Sequence, residues 1–435
     1  MEEKLALFGG PKAVNETFPP YNPIGAEEVE AARQVVESGA LSRFLGSWHP
    51  NFYGGEKVQE FEQAWARNFG TKHAVSVNSA TSGLIAAVGA LGIEPGDEVV
   101  VSTWTMSASA TAILVWNAIP VFADIETETF NLDPVQVEEA ITPYTKAIMV
   151  IDIHGHPAQL DEIKAIATKH NLKVIEDCAQ APHALYKGRY TGTVADIGVY
   201  SLNYHKHIHT GEGGMCVTNS PALADRLQLI RNHAEAVVED KGVMDLSNMI
   251  GFNFRMCEVE AAIGIEQLKK LPRLVANRQA VAQRLTQGLQ GLKGLRTPLV
   301  RTGCTHAFYK YAMVLDTAAL GVSRTKLIGA LEAEGVPGLG GGYVNVHRYP
   351  LYQKKIAYGR NGFPWTAPVY KGKVSYERGI CPNAEILHDE RFFGMEMCEH
   401  QFSERQIDLV IKAFHKVWDN LEQLRQHSAH VQEAC

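Results

Sequence analysis

The sequence predicts an α/β protein: a mainly parallel central sheet with helices on both faces, followed by a smaller α+β unit. Three observations carry this. Short apolar runs alternate with amphipathic stretches through residues 25–270, the signature of strand–helix–strand units. The pattern changes near residue 305 to fewer, separate elements. A chain of 435 residues is also too long for one small core.

The elements follow in order. Residues 75–77 read as a strand and 81–91 as the helix behind it. Residues 97–102 form an apolar strand and 107–116 a helix. Further strands are expected at 120–124, 147–153, 173–177 and 197–201, with a helix at 160–169 between them and another strand around Val217. In such sheets ligands bind beyond the carboxyl ends of the strands. Residues 260–292 read as a long helical linker, apolar at Ile263, Leu268, Leu271 and Val275, with a break at Pro272. A strand at 307–315 and a helix at 324–334 come next. A glycine-rich stretch at 338–342 leads into an irregular region that runs to Pro382. The last helix, 403–424, is apolar at Ile407, Val410, Ile411, Phe414 and Val417. The expected organisation is an N-terminal extension (1–25) packed on the small domain, a large domain (26–270), a small domain (271–425) and a disordered polar tail (426–435).

Composition narrows the function. Hydrophobic residues make up 46% of the chain and charged residues 20%, with a net charge of −7. That is ordinary for a globular enzyme and argues against nucleic-acid or anionic-membrane partners. No apolar run reaches membrane-spanning length, and the first residues lack the basic head and apolar stretch of a signal peptide. The seven cysteines are odd in number and contain no CxxC pair. Reduced thiols and a cytoplasmic location are expected.

Lys206 is the residue on which the functional reading turns. It lies in Ser201-Leu202-Asn203-Tyr204-His205-Lys206, ahead of the glycine-rich Thr210-Gly211-Glu212-Gly213-Gly214. Asp177 lies 206 − 177 = 29 positions upstream and closes a predicted strand. A lysine amine and a strand-end carboxylate are the two contacts pyridoxal phosphate (PLP) requires. The amine holds the aldehyde as a Schiff base, and the carboxylate keeps the pyridinium protonated so that the ring acts as an electron sink. Burial or nearby positive charge must strip the amine of its proton, and His205, His207 and His209 stand nearby. These imidazoles are not read as metal ligands, and no metal site is expected. Asn78–Leu84 follows a strand and opens a helix with small and hydroxylated residues, a cradle for phosphate or an ordinary helix cap. Trp104 suits stacking on a ring and equally ordinary packing. Gln180 is a donor to a ring oxygen or a surface amide. Ser201 is a phosphate ligand or a turn cap. Cys178 reads as a small buried residue.

Together these segments resemble the DegT/StrS-type family of PLP-dependent sugar aminotransferases, which have the fold type I, aspartate aminotransferase-like architecture. The resemblance also takes in Leu5–Gly10, Val101–Ala108, Gly251-Phe252-Asn253-Phe254-Arg255-Met256 and the stretch 402–414. It implies a cofactor cycling between PLP and pyridoxamine phosphate, with Lys206 and Asp177 catalytic. It implies further that Gln180 holds the ring oxygen, Trp104 stacks, and Thr81, Ser82 and Ser201 hold the phosphate. Asn253 would reach that phosphate from the other subunit of a homodimer. His347, Tyr343 and Arg255 would face substrate. The implied reaction moves an amino group from an amino acid, L-glutamate foremost, to a keto sugar. That acceptor is nucleotide-linked or an oxidised sugar acid such as a keto-octulosonate, in amino-sugar or cell-surface polysaccharide biosynthesis. A keto-cyclitol aminotransferase of aminoglycoside-type pathways and a PLP-dependent keto-sugar dehydratase are the alternatives. The chain departs from the family pattern at Ala80, at Asp152-Ile153-His154-Gly155 and at the histidines around Lys206.

Overall fold

The structure, a computed structural model, describes residues 3–432, with side chains through 426. Its centre is a seven-stranded sheet built from β1 (His73–Val77), β2 (Glu98–Ser102), β3 (Ile119–Ala123), β4 (Thr145–Ile151), β5 (Lys173–Asp177), β8 (Ile197–Ser201) and β9 (Gly214–Thr218). Two short strands, β6 (Leu185–Tyr186) and β7 (Arg189–Tyr190), form a separate hairpin. The order across the sheet is β1-β9-β8-β5-β4-β2-β3. Only β9 runs against its neighbours; the other pairings are parallel. Parallel strands covered on both faces are apolar throughout, and β2 (Glu-Val-Val-Val-Ser) is buried at every position. Between β1 and β2 runs the helix Ala80–Ala90, so poor in polar residues that most of it is buried.

The second unit is a four-stranded sheet, β10 (Leu295–Arg296), β11 (Lys310–Leu315), β13 (Phe392–Glu396) and β12 (Leu339–Gly341) in that spatial order. The helices Arg324–Ala333 and Glu404–Asp419 cover it, the latter through Ile407, Val410, Phe414 and Val417. The N-terminal segment joins this core through Leu5 and Val14. Glu334 fixes it there by accepting from the amides of Ala6 (2.7 Å) and Ala13 (2.9 Å) and pairing with Lys416 at 3.0 Å.

Three expectations differ from the structure. The long helix runs unbroken over Glu258–Leu289 with Pro272 inside it. Proline forfeits one backbone hydrogen bond, but buried Leu268, Leu271, Leu274 and Val275 anchor the turns on either side. The irregular stretch before Pro382 belongs to the core of the large sheet, not to the smaller unit: Tyr352, Trp365, Tyr370 and Tyr376 all pack there. The Tyr370 hydroxyl donates to Glu98 and the Tyr376 hydroxyl to the Pro120 carbonyl, each at 2.8 Å. Finally, the polar end continues as a helix, Leu421–Gln432, because Leu421 and Leu424 bury against the smaller core. Residues 433–435 of the expected tail lie outside the described residues. Among the described residues no helix is long and apolar enough to cross a membrane.

Candidate active site

A cavity of about 200 Å³ opens where β4, β5 and β8 end and the helix Ala80–Ala90 begins. Lys206 projects into it from a turn that two backbone pairings hold shut: Leu202 N–H to Gly213 O (2.9 Å) and Thr210 N–H to Leu202 O (3.0 Å). Gly213 has φ +152°, and a Cβ there would lie 2.5 Å from the Thr210 hydroxyl. A side chain at 213 would therefore deform the turn that aims Lys206.

The Lys206 amine is buried and sits 4.3 Å above the centre of the Tyr309 ring. Burial lowers its pKa to about 8, and the charge of Asp177 opposes the shift. The nearby imidazoles are not the cause. Burial and the Lys206 charge bring His205 down to about 4, and burial depresses His207 and His209 as well. All three are neutral at neutral pH, so desolvation of the amine does the work.

Asp177 ends β5 on the facing wall. Its carboxylate accepts from the Ser109 hydroxyl (2.9 Å) and the Ala179 amide (3.1 Å). Burial pushes its pKa up, while these two donors and the Lys206 charge hold it down. A protonated ring nitrogen placed here would complete the pairing. Behind it lie Asp152, Glu176 and Cys178, the one cluster of potential metal ligands among the described residues. Burial raises the pKa of all three groups and favours their protonated forms.

The third wall is the start of the helix Ala80–Ala90. Ser79 caps it, its hydroxyl accepting from Ser82 N–H at 3.1 Å. Gly214 packs so closely that a Cβ would lie 2.7 Å from the Ala80 nitrogen. The free amides of a helix start beside a glycine-floored gap suit a phosphate. Thr81 and Ser201 line the cavity. Ser82 does not; its hydroxyl donates to Asn78 Oδ1 at 2.7 Å and serves the cap. Gln180 lines the cavity, its amide clamped between the His154 N–H (2.7 Å) and the Tyr343 hydroxyl (3.0 Å). Tyr343 thus stands one bond behind the wall.

Trp104 and His347 are placed differently from the sequence expectation. Trp104 is fully buried beneath the site, among Phe130, Tyr343 and Phe392, and donates from Nε1 to His154 Nε2 at 3.2 Å. The indole finds its polar partner in the core, and the cavity wall at this point is Thr105 and exposed Met106. His347 is likewise fully buried. It bridges the Thr103 hydroxyl (2.6 Å) and Glu385 (3.0 Å), tying the end of β2 to the chain before β13. Asn253 and Arg255 do not line this chain's cavity. The Arg255 Nε donates to Asn253 Oδ1 (2.7 Å) on the outside, and Asn78 holds the strip by its backbone. The sequence reading missed Met106, Asn203 and Glu212 in the wall and Ser109 behind it. Met106 lies two residues beyond Trp104, on the same strand-to-helix connection, and no local pattern marks which of the two faces the cavity.

A buried amine of lowered basicity, a carboxylate facing it and a helix start between them, at the strand ends of a parallel sheet, define a PLP-dependent transferase of fold type I. The comparisons agree. The model of the DegT/DnrJ/EryC1/StrS aminotransferase family matches residues 24–383, and the chain belongs to that family. It is a PLP-dependent aminotransferase. It is 37% identical to the spore coat polysaccharide biosynthesis protein SpsC of Bacillus subtilis, over 82% of this chain and 91% of that one. It is 32% identical to a Micromonospora echinospora protein provisionally assigned as an L-glutamine:3-amino-2,3-dideoxy-scyllo-inosose aminotransferase, over 98% and 99% of the two chains. Among solved structures, the aminotransferase from Psychrobacter cryohalolentis superposes with a TM-score of 0.80 at 28% identity, covering 93% of this chain and 100% of that one.

Proposed function

We propose that this enzyme transfers an amino group from L-glutamate or L-glutamine to a keto sugar in amino-sugar or polysaccharide biosynthesis, and that it works in the cytoplasm as a homodimer. The observation that carries this is the Lys206 amine, lowered to about 8 by burial and facing Asp177. The bound cofactor supplies an electron sink for the pair left on the donor's α carbon. Lys206 Nζ takes the α proton and returns it in the course of transfer, because burial lowers its basicity far enough that about a tenth of it is unprotonated at neutral pH. Asp177, held by Ser109 and Ala179, keeps its charge against the ring nitrogen. The helix start at Ala80, with Thr81 and Ser201, receives the phosphate. Gln180 orients the ring oxygen, with Tyr343 fixing its amide. Met106 covers the open side of the ring in the place expected of Trp104. Asn253, exposed, and Arg255, half-buried, on a strip fixed to Asn78, serve the site of a second copy.

The name of the Bacillus relative supports a sugar acceptor. A keto-cyclitol acceptor is the second reading. It is favoured by the Micromonospora relative, which pairs with this chain nearly end to end and so includes the long segment before Pro382. The test is incubation of the holoenzyme with each donor, followed by keto sugars and keto-cyclitols, with products read by mass spectrometry. Amine product formed together with the 2-oxo acid, under ping-pong kinetics, is the expected result. Release of ammonia with a deoxygenated sugar, or no transfer to either acceptor class, overturns the proposal.

A further inference from the structure

The geometry points to a second ligand site, separate from the cofactor cavity, that binds the oxyanion head group of a small metabolite. A cavity of about 280 Å³ lies between the N-terminal segment at Tyr21, one face of the helix Glu258–Leu289 and the chain after β13. It shares no lining residue with the cofactor cavity.

Residues 273, 274, 277, 278 and 281 of the long helix all line it, a spacing that puts them on one face. That face brings Arg273, Asn277 and Arg278 to the cavity together. No acidic residue lines it. Leu274, Val281, Met397 and Phe402 form its apolar part, so the cavity suits a ligand with an anionic head and a less polar body.

Arg278 is the buried cation of this cavity. It is only 5% exposed, yet no carboxylate pairs with it. Its guanidinium lies 4.1 Å from the Tyr21 ring centre, and Nη1 reaches only the Leu274 carbonyl, at 3.3 Å. Nε and Nη2 make no geometrically complete hydrogen bond; the neutral Tyr21 hydroxyl and Cys398 thiol stand beside the guanidinium and support its charge, but the hydroxyl is already engaged with the His207 carbonyl and a thiol is a weak acceptor. Stacking on Tyr21 occupies the face of the guanidinium and leaves its edge. Nε and Nη2 form the edge that grips two oxygens of one carboxylate or phosphate. A buried cation with that edge unmet is costly, and an oxyanion in the cavity would satisfy it. The other buried arginine with free nitrogens, Arg231, already holds Glu62. Among the cavity residues, His400 Nδ1 is also buried without a partner. The Tyr21 hydroxyl donates to the His207 carbonyl at 2.5 Å, which sets the site against the loop that carries Lys206.

The test is isothermal titration calorimetry of PLP-saturated holoenzyme at low ionic strength, with inorganic phosphate and, separately, with succinate as probes. Saturable binding of at least one probe, one per chain, is expected. It should weaken about tenfold or more in Arg273→Ala and in Arg278→Met. Phosphate alone would assign a phosphoryl head group, succinate alone a carboxylate, and both an oxyanion site without preference. Arg273 is exposed, so its variant carries the test if Arg278→Met fails to fold. Absence of binding by either probe, or binding undiminished in the folded arginine variants, overturns the inference.

Discussion

Replacing Lys206 with methionine separates the catalytic use of the amine from what its burial costs. In the cofactor-free protein, burial takes the amine from 10.5 to about 8. The difference is 10.5 − 8 = 2.5, which at about 1.4 kcal/mol for each step of one in pKa is roughly 3.5 kcal/mol. The folded state binds fewer protons than the unfolded state between those two values, so stability rises with pH across that interval. Below pH 8 the cost is fully present; above 10.5 it has gone. Methionine keeps the unbranched apolar stem and has no charge to desolvate. Lys206→Met, without cofactor, is therefore expected to be more stable than wild type near pH 7 by about 3.5 kcal/mol, with the advantage shrinking towards about pH 10. Urea denaturation at the two pH values measures it. The same variant should show no transaminase turnover and no cofactor fixed to the chain by borohydride. An advantage equal or larger at the higher pH would refute the assignment of the shift to desolvation. Residual turnover would refute the role of the amine.

Two further outcomes test the walls of the site. Ser109→Ala removes one of two donors to Asp177 and favours its protonated form, so activity should fail at a higher pH than in wild type as the medium is acidified, read from the acid limb of kcat/KM. An unmoved limb would mean that Ser109 does not hold the carboxylate. Gly214→Ala places a Cβ 2.7 Å from the Ala80 nitrogen, and overpacking of this kind costs about 1–3 kcal/mol. Because the clash falls on the proposed phosphate cradle, retention of PLP on dialysis should drop more than thermal stability does.

Much of the site was legible because it is local. Asp177 and Ser201 end strands whose apolar runs are unmistakable, and Thr81 opens a helix directly after β1. Lys206 sits in a turn whose glycines announce it. What failed to read correctly depends on which way a side chain faces after packing. Trp104 is the example: it occupies a strand-to-helix connection suited to a cofactor, but the core beneath it supplies three aromatic rings and a histidine acceptor, and burial there leaves Met106 at the surface of the cavity. His347 was pulled inward by Thr103 and Glu385, one just past the end of β2 and one from near β13. The histidines beside Lys206 looked like a source of positive charge, and only their burial shows that they are neutral.

The sequence by itself determined the alternation of strand and helix, the amine, its partnering carboxylate and the family to which they belong, since each is written in neighbouring residues or in fixed spacing. Tertiary structure alone decided the basicity of Lys206, the inward turn of Trp104 and His347, and the meeting of Arg278 with Tyr21. These depend on desolvation and on contacts between segments hundreds of residues apart, which periodicity along the chain does not encode.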